Sequence, residues 1–443
     1  MNAVVIAVIV MLALSFARVH VIISLVLGAI VGGLLAGMGL TGTMESFTTG
    51  IANGASIALS YAMLGAFAVA IAHSGMPQAF AGWVIRRAGD PDAAGPRRGR
   101  GVKWALIGVL LVAGIMSQNL VPIHIAFIPL LVPPLLLVFN RFRVDRRLLA
   151  CVITFGLVTT YMYLPYGFGN VFLNEILLAN INKAGLNTDG LNVMTAMAIP
   201  ALGMVSGLLT AYVSYRRPRS YRDLPVAGQD TVDPTAPVSR YRIGVALLAI
   251  ALSLVIQIWA DSLLLGALVG FAVFLAARVV RWGDADTVFN RGVTMMAMIG
   301  FIMISAQGFA QVMKDTGDVD KLVTQSANLF GGSQLLGSLV MLLVGLLVTM
   351  GIGSSFSTLP IISTIFVPLC ATLGFSPLAT VSIIGTAGAL GDAGSPASDS
   401  TLGPTSGLNA DGQHDHIRDT VLPTFLHYNI PLLLAGWVAA MVL

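Results

Sequence analysis

The stretch Gly385–Pro404 reads GTAGALGDAGSPASDSTLGP and brings two carboxylates into an otherwise apolar part of the chain. Residues 322–391 contain no Asp, Glu, Lys, Arg or His, and Asp392 and Asp399 then follow among Gly, Ser and Pro. Charged side chains are costly in apolar surroundings and usually functional there. Gly and Pro interrupt a helix, and interrupted backbone is tolerated at membrane depth only inside protein or beside a wet cavity. The stretch therefore predicts the unwound centre of a membrane helix that holds an ion or solute site.

The composition of the whole chain is that of a polytopic membrane protein. Of its 443 residues, 56% are hydrophobic and 10% are charged, and the mean hydropathy is +0.87, whereas soluble proteins average about 25% charged residues. The net charge of +4 resides in short basic loops between apolar spans, which is the positive-inside pattern and not a nucleic-acid signal. Cys151 and Cys370 lie in apolar segments, so we expect neither a disulfide nor a metal site. The N-terminus lacks a basic region and a cleavage site, and it predicts a retained first helix.

The chain divides into two halves joined by a polar linker. Residues 1–215 predict five membrane crossings and one re-entrant hairpin, with the hairpin at 103–139 and a broken helix at 148–181. Residues 216–242 are rich in Pro and charge and predict a cytoplasmic linker. Residues 243–443 repeat the plan, with a hairpin at 335–373 and a broken helix at 377–406.

Two observations favour a hairpin over a broken full span at residues 103–139. SQNLVP (Ser117–Pro122) interrupts the apolar run, and each half has about 14 to 18 residues, fewer than the 20 or so that cross a bilayer. Basic residues flank the run on both sides, which places both flanks in the cytoplasm. A broken full span stays as the alternative, since the charge rule has exceptions.

The order of short motifs indicates an internal repeat with offsets between 231 and 242. The matching motifs are ESFTTG (45–50) with TVFNRG (287–292), GIMS (114–117) with GIGS (351–354), Pro122 and Pro129 with Pro360 and Pro368, and Pro165 with Pro396. Five crossings is an odd number, so the second half enters the membrane upside down, with both termini external and the linker internal. Inverted repeats with paired hairpins and paired broken helices are typical of secondary transporters.

The segment Gly391–Leu433 reads GDAGSPASDSTLGPTSGLNADGQHDHIRDTVLPTFLHYNIPLL. It resembles the C-terminal signature of a bacterial Na+/H+ antiporter family, that of the YuiF-like transporters, within the ion transporter superfamily. The resemblance implies an all-α bacterial inner-membrane carrier of two inverted repeats that works by alternating access, often as a homodimer. Superfamily relatives carry cations, dicarboxylates or amino acids, so the substrate stays open. The tip Ser117–Asn119 departs from the Ser-Asn-Thr tips of the dicarboxylate carriers, which argues against dicarboxylates.

Asp392 and Asp399 are the candidate ion-binding carboxylates. A cation exchanger needs an acid that holds either Na+ or a proton, because competition of the two ions for one site produces exchange. The alternative role is structural, since an Asp at the start of a half-helix caps its free N–H groups. The two roles are compatible.

The remaining candidates are polar residues at the interruptions, whose oxygens suit a hard cation such as Na+. They are Ser395 and Ser398 beside the acids, Ser354, Ser355, Ser357 and Thr358 at the second hairpin tip, Ser117, Gln118 and Asn119 at the first, and Asn170 after the first break. A bound Na+ is expected at Asp392, Ser117, Asn119 and Ser354. Alternatively, these side chains satisfy only the interrupted backbone, or the half-helix N-termini hold a substrate carboxylate.

The primary hypothesis for function is Na+/H+ antiport through buried carboxylates. The alternative is Na+- or H+-coupled uptake of a small amino acid, such as histidine, or of an organic anion. An enzyme is not expected, because no nucleophile–base pair or metal cluster has convincing spacing, and hairpins closed from both faces argue against a channel. His414 and His416 predict a cytoplasmic loop and not a metal site. The expected partners are the bilayer and a small ion or solute, with no cofactor beyond the transported Na+ or H+.

Overall fold

The structure is a computed structural model that describes residues 2–17, 19–76, 79, 95–119, 124–222, 224, 239–260, 262–318, 321, 333–352 and 355–443. All regular structure in these residues is helical. Numbered in chain order, the helices are α1 (Ala3–Phe16), α2 (Val21–Leu35), α3 (Gly39–His73), α4 (Gly95–Asn119), α5 (His124–Arg141), α6 (Arg146–Tyr163), α7 (Phe168–Lys183), α8 (Val193–Ser214), α9 (Arg240–Ala260), α10 (Leu263–Ala276), α11 (Ala285–Asp315), α12 (Gln334–Ile352), α13 (Ser355–Leu373), α14 (Pro377–Ala389), α15 (Asp399–Leu408) and α16 (His416–Val442).

Polar residues placed just before the apolar runs start several of these helices. The Asp145 side chain accepts from Arg147 N at 3.0 Å at the start of α6, and Ser376 Oγ accepts from Ala379 N at 3.0 Å at the start of α14. Such caps satisfy N–H groups that have no partner within the helix. Pro377 follows Ser376 directly, where its fixed φ suits the first helical position.

The lengths and compositions of the helices are those of a polytopic membrane protein. Among the described residues, α8, α9, α12 and α16 are each long and apolar enough to cross a membrane, and the bent pair α6 and α7 gives a fifth span when counted as one. Apolar helices such as α2 and α10 are shorter than a full span. The ten crossings predicted from the sequence therefore stay a prediction.

Helices α12 and α13 form an antiparallel pair at the position of the second predicted hairpin. Gln334 Nε2 donates to Leu373 O at 2.9 Å where the pair begins and ends, and the Thr349 hydroxyl donates to that of Thr358 at 3.3 Å near the tip. Helix α12 has 19 residues and continues through Gly351, where the sequence predicts an interruption, to Ile352. The tip of the first hairpin, residues 120–123, lies outside the described residues.

In the part of the chain that the structure describes, two helices are interrupted near their centres. Helices α6 and α7 meet at 53° across residues 164–167. Helix α14 ends at Ala389, a 3-10 turn follows at Asp392–Gly394, and α15 begins at Asp399. The stretch Gly385–Pro404 thus contains a break between two helical segments.

The loops that carry the linker and residues 409–415 meet at one end of the molecule, termed the linker end. Arg219 N donates to Arg143 O at 3.1 Å, and Arg219 Nη1 lies 3.0 Å from Asp419 Oδ1. His20, from the turn between α1 and α2, borders the same region as residues 412–419. The linker end therefore joins both halves of the chain.

Candidate functional site

The break between α14 and α15 is held open by one glycine and one asparagine. Gly391 has φ +91°, a left-handed conformation that other residues rarely adopt, and its N–H donates to Asn429 Oδ1 of α16 at 3.1 Å. A Cβ on Gly391 would also lie 3.1 Å from Leu346 O. This geometry turns the chain so that the next residue, Asp392, faces the interior.

The Asp392 carboxylate is buried and accepts three hydroxyl hydrogen bonds. The donors are Tyr161 at 2.7 Å, Ser398 at 2.5 Å and Ser400 at 2.9 Å. Only 8% of the residue is exposed. An ionised carboxylate is an acceptor without hydrogens of its own, so three converging donors match the charged form.

Tyr161 links this carboxylate to the second hairpin. Its ring is fully buried against Phe172, with ring centroids 4.8 Å apart. Its hydroxyl lies 3.1 Å from Ser355 Oγ, at the start of α13. Since the Tyr161 hydrogen points to Asp392, Ser355 donates to the Tyr161 oxygen. Three elements meet here: helix α6, the α14–α15 break and the tip of the hairpin α12–α13.

The cluster of Asp392, Tyr161, Ser355, Ser398 and Ser400, termed the carboxylate cluster, has the chemistry of a small-cation site. All its polar atoms are hard oxygens, which monovalent and divalent hard cations prefer. Each hydroxyl can turn its hydrogen away and offer a lone pair instead. Among the described residues, no three His, Cys, Asp or Glu side chains converge as a transition-metal site would require.

The structure brings several predicted residues to this cluster. Asp392, Ser398 and Ser355 are members, and Ser395 is fully buried in the same break, where its hydroxyl accepts from Ala397 N at 3.2 Å. Asp399 opens α15 next to the cap Ser398 and is half-buried. Within the described part of the chain, no hydrogen bond reaches the Asp399 carboxylate.

Other predicted residues lie apart from the cluster or outside the description. Thr358 is buried in α13 and pairs with Thr349. Asn170 donates to Glu175 Oε1 at 3.0 Å on an exposed face of α7. Ser354 lies outside the described residues, as do the side chains of Ser117, Gln118, Asn119 and Ser357. Their roles stay predictions.

Sequence reasoning missed Tyr161 and Ser400. Tyr161 lies in an apolar run, where an aromatic side chain usually indicates packing. One signal was present: Tyr161 precedes Asp392 by 231 positions, the same spacing that pairs Pro165 with Pro396.

A buried ion pair fixes the far end of α15 at the linker end. Arg146 donates bidentately to Asp411, with both N–O distances 2.6 Å, and its Nη1 also donates to Leu408 O at 2.9 Å. Burial raises the pKa of Asp411, but the Arg146 guanidinium and the hydrogen bonds from Gln413 together lower it by more, so the pKa lies below its ordinary value. The pair ties the second half-helix to the start of α6, and hence to Tyr161.

A membrane-embedded bundle with a broken helix and a buried, hydroxyl-bound carboxylate is built as a secondary transporter. Comparisons with known proteins agree. The sequence profile of the Na+/H+ antiporter family matches residues 152–437, and a second profile, also described as a Na+-H+ antiporter family, matches residues 2–88. The chain belongs to the Na+/H+ antiporter family.

Relatives similar to this chain over its whole length include two bacterial proteins. An uncharacterised membrane protein of Vibrio parahaemolyticus is 55% identical, covering 100% of both chains. The Bacillus subtilis protein named "Putative amino acid transporter YuiF" is 50% identical, also covering 100% of both. The YdaH transporter of Alcanivorax borkumensis has 17% identity and a TM-score of 0.41, covering 91% of this chain and 88% of that one, a similarity too low to support an argument.

Proposed function

We propose that the chain is a Na+/H+ antiporter of the bacterial inner membrane that binds either ion at Asp392. The observation that carries the proposal is the carboxylate cluster, a buried acid with three hydroxyl ligands inside a helix break. A buried carboxylate is strongly stabilised by a neutralising partner, and both Na+ and H+ can serve. The ions exclude each other from one acid, which gives exchange when the site faces the two sides in turn.

The proposed inverted repeat is supported by equal spacings between helix starts. Helices α6 and α14 begin at Arg146 and Pro377, which are 231 positions apart. The half-helices α7 and α15 begin at Phe168 and Asp399, also 231 positions apart. Two broken helices with the same internal plan fit a duplicated unit.

Matching contacts between the hairpins and the broken helices support the same offset. A Cβ on Gly114 of α4 would lie 3.4 Å from Gly156 Cα in α6, and a Cβ on Gly345 of α12 would lie 2.8 Å from Ala387 Cα in α14. Both partners of the second contact are 231 positions after those of the first. This offset fits better than the 237 that pairs the motifs GIMS and GIGS.

The long helices α3 and α11 support inversion, because they cross in antiparallel fashion. A Cβ on Gly50 would lie 2.7 Å from Gly308 Cα, and one on Gly292 would lie 2.4 Å from Ala66 Cα. An offset of 242 makes Gly292 the counterpart of Gly50, and Gly308 the counterpart of Ala66. Replacing each residue by its counterpart therefore converts the first contact into the second. Such mutual contacts are those of a two-fold axis between the repeats.

The hydrogen bond from Tyr161 to Asp392 joins two positions related by the 231 offset. Under the proposed symmetry the pair lies on the two-fold axis, which runs in the membrane plane for an inverted repeat, near mid-bilayer. The linker and the basic residues at Arg143 and Arg219 would then face the cytoplasm, with both termini outside.

The second candidate function is ion-coupled uptake of a small amino acid. The name of the Bacillus subtilis relative favours it. A carboxylate at Asp392 would hold the amino group, and the N-terminus of α15 beside Ser398 would face the substrate carboxylate.

Transport by purified protein in proteoliposomes tests both functions. An imposed Na+ gradient should move protons, read by an internal pH dye, in the absence of any organic solute. The Asp392→Asn variant should abolish this flux, whereas Glu175→Gln, which changes an exposed carboxylate of the other broken helix, should retain it.

The outcomes separate the candidates. Proton flux only when an amino acid is supplied would replace antiport with coupled uptake. Full exchange by a folded Asp392→Asn variant would overturn the assignment of the site.

A further inference from the structure

A cavity of about 690 Å³ opens at the linker end of the molecule. Residues 409 and 412–419 line one side, and His20, Val21 and Ile302 line the other. Ile302 lies near the middle of the 31-residue helix α11, so the cavity is bounded by the helical bundle as well as by loops.

The His416 imidazole forms the inner wall of the cavity towards the break. Its Nε2 donates to Pro396 O at 2.9 Å, which leaves Nδ1 to accept from the Thr405 hydroxyl at 2.8 Å in the neutral ring. Pro396 belongs to the α14–α15 break, and Thr405 belongs to α15. The His416 side chain thus contacts both the break and α15, the two segments that lie between the cavity and Asp392.

Only a few residues of the chain separate Pro396, which His416 contacts, from the hydroxyl ligands of Asp392. Two residues after Pro396, the Ser398 hydroxyl donates to Asp392 at 2.5 Å. The Thr401 hydroxyl closes the same turn by donating to Ser395 O at 2.6 Å. Movement of this short turn away from His416 would connect the cavity to the carboxylate.

The lining of the cavity suits water and ions. It includes Asp415, Arg418 and Asp419 at the rim. Charged side chains are costly to remove from water, so a rim of this composition favours a hydrated cavity.

We propose that this cavity is the water-filled route from the linker end to Asp392, and that His416 is the positioning residue that keeps its inner wall closed. The route carries the small hydrated cation or proton exchanged at the site. The identity of that ion and its binding at Asp392 rest on the function proposed above.

Cysteine labelling tests the route, because both native cysteines are fully buried. Ile302→Cys lines the cavity, and Phe301→Cys is the matched control, since the neighbouring Phe301 is 60% exposed on the outer surface of the bundle. A charged, membrane-impermeant methanethiosulfonate reagent should label Ile302→Cys from the linker side of sealed vesicles, at least tenfold faster than Phe301→Cys. No labelling of Ile302→Cys, or labelling only from the opposite side, would overturn the route.

A second reporter tests the role of His416. Ala397→Cys lies in the turn behind the wall and is 8% exposed. Its labelling from the linker side should rise at least tenfold when His416→Ala is added, and less with His416→Gln, which keeps a side-chain amide. Equal rates in all three backgrounds, with each variant monodisperse on size exclusion, would show that His416 does not close the wall.

Labelling and transport fail independently. Labelled Ile302→Cys with an active Asp392→Asn variant would keep the route and reject the proposed site. An inactive Asp392→Asn variant together with unlabelled Ile302→Cys would keep the proposed site and reject the route.

Discussion

Replacing Tyr161 by Phe removes one hydroxyl from the carboxylate cluster and almost no volume. The variant loses the 2.7 Å hydrogen bond to Asp392 and the 3.1 Å contact with Ser355. A hydrogen bond to a charged group contributes about 1.5–3 kcal/mol, and each 1.4 kcal/mol is a factor of ten in affinity. The charged form of Asp392 also binds Na+, so we expect the apparent Na+ affinity to fall about 10- to 100-fold at fixed pH.

Tyr428→Phe is the matched control for this variant. Tyr428 is also fully buried, but its hydroxyl donates to Cys151 O at 2.6 Å, and it lies outside the carboxylate cluster. Loss of a neutral bond costs about 0.5–1.5 kcal/mol of stability, and it should leave the Na+ affinity within about twofold.

The assay is the Na+ concentration that gives half-maximal proton flux in proteoliposomes, measured for both variants at one pH. Size exclusion and thermal melting establish that each variant is folded. An unchanged half-saturation in Tyr161→Phe, or an equal shift in both variants, would refute the view that this hydroxyl acts on the bound ion.

Three further predictions concern stability, measured as Tm in detergent. Gly391→Ala should lower Tm more than Gly37→Ala does: both glycines have positive φ, but only at Gly391 would a Cβ meet neighbouring atoms; equal losses would contradict the crowding argument. Asp411→Asn leaves the Arg146 charge buried and unpaired and should cost about 3–5 kcal/mol, so an unchanged Tm would show that the pair is dispensable. Burial lowers the pKa of His414 to about 3, whereas a histidine in the unfolded chain titrates near 6.5. Between these two pH values the unfolded state binds more protons than the folded state, so Tm should fall as the pH drops below about 6.5. The variant His414→Gln should show a smaller fall.

The interruption at residues 385–404 could be predicted because its cause is local. Gly, Ser and Pro cluster in a run without charges, and this composition alone disfavours a continuous helix. The arm lengths of the second hairpin could not be predicted in the same way. Gly351 and Pro360 indicate an interruption, yet both lie within helices in the structure, because tertiary packing overrides single-residue propensity.

The sequence alone did not distinguish the two carboxylates. Asp392 and Asp399 stand seven positions apart in equivalent surroundings, but of the two only Asp392 receives a hydroxyl from a distant segment in the described structure. Its donor Tyr161 is 231 positions away in sequence, and no local pattern reports such a contact. Ser400 has no distinguishing signal in the sequence, because a serine near a helix start is usually explained by capping.

The pairing of Tyr161 with Asp392 has a consequence for the ancestry of the chain. In a protein assembled from two identical copies, the residue at this position would have met its own duplicate across the axis. Two acids there would repel each other, and two tyrosines would leave no charge to hold a cation. Under the inverted repeat proposed above, a single-charge site at the axis would require that the two copies diverged after duplication and fusion, which a symmetric dimer of identical half-length chains could not do.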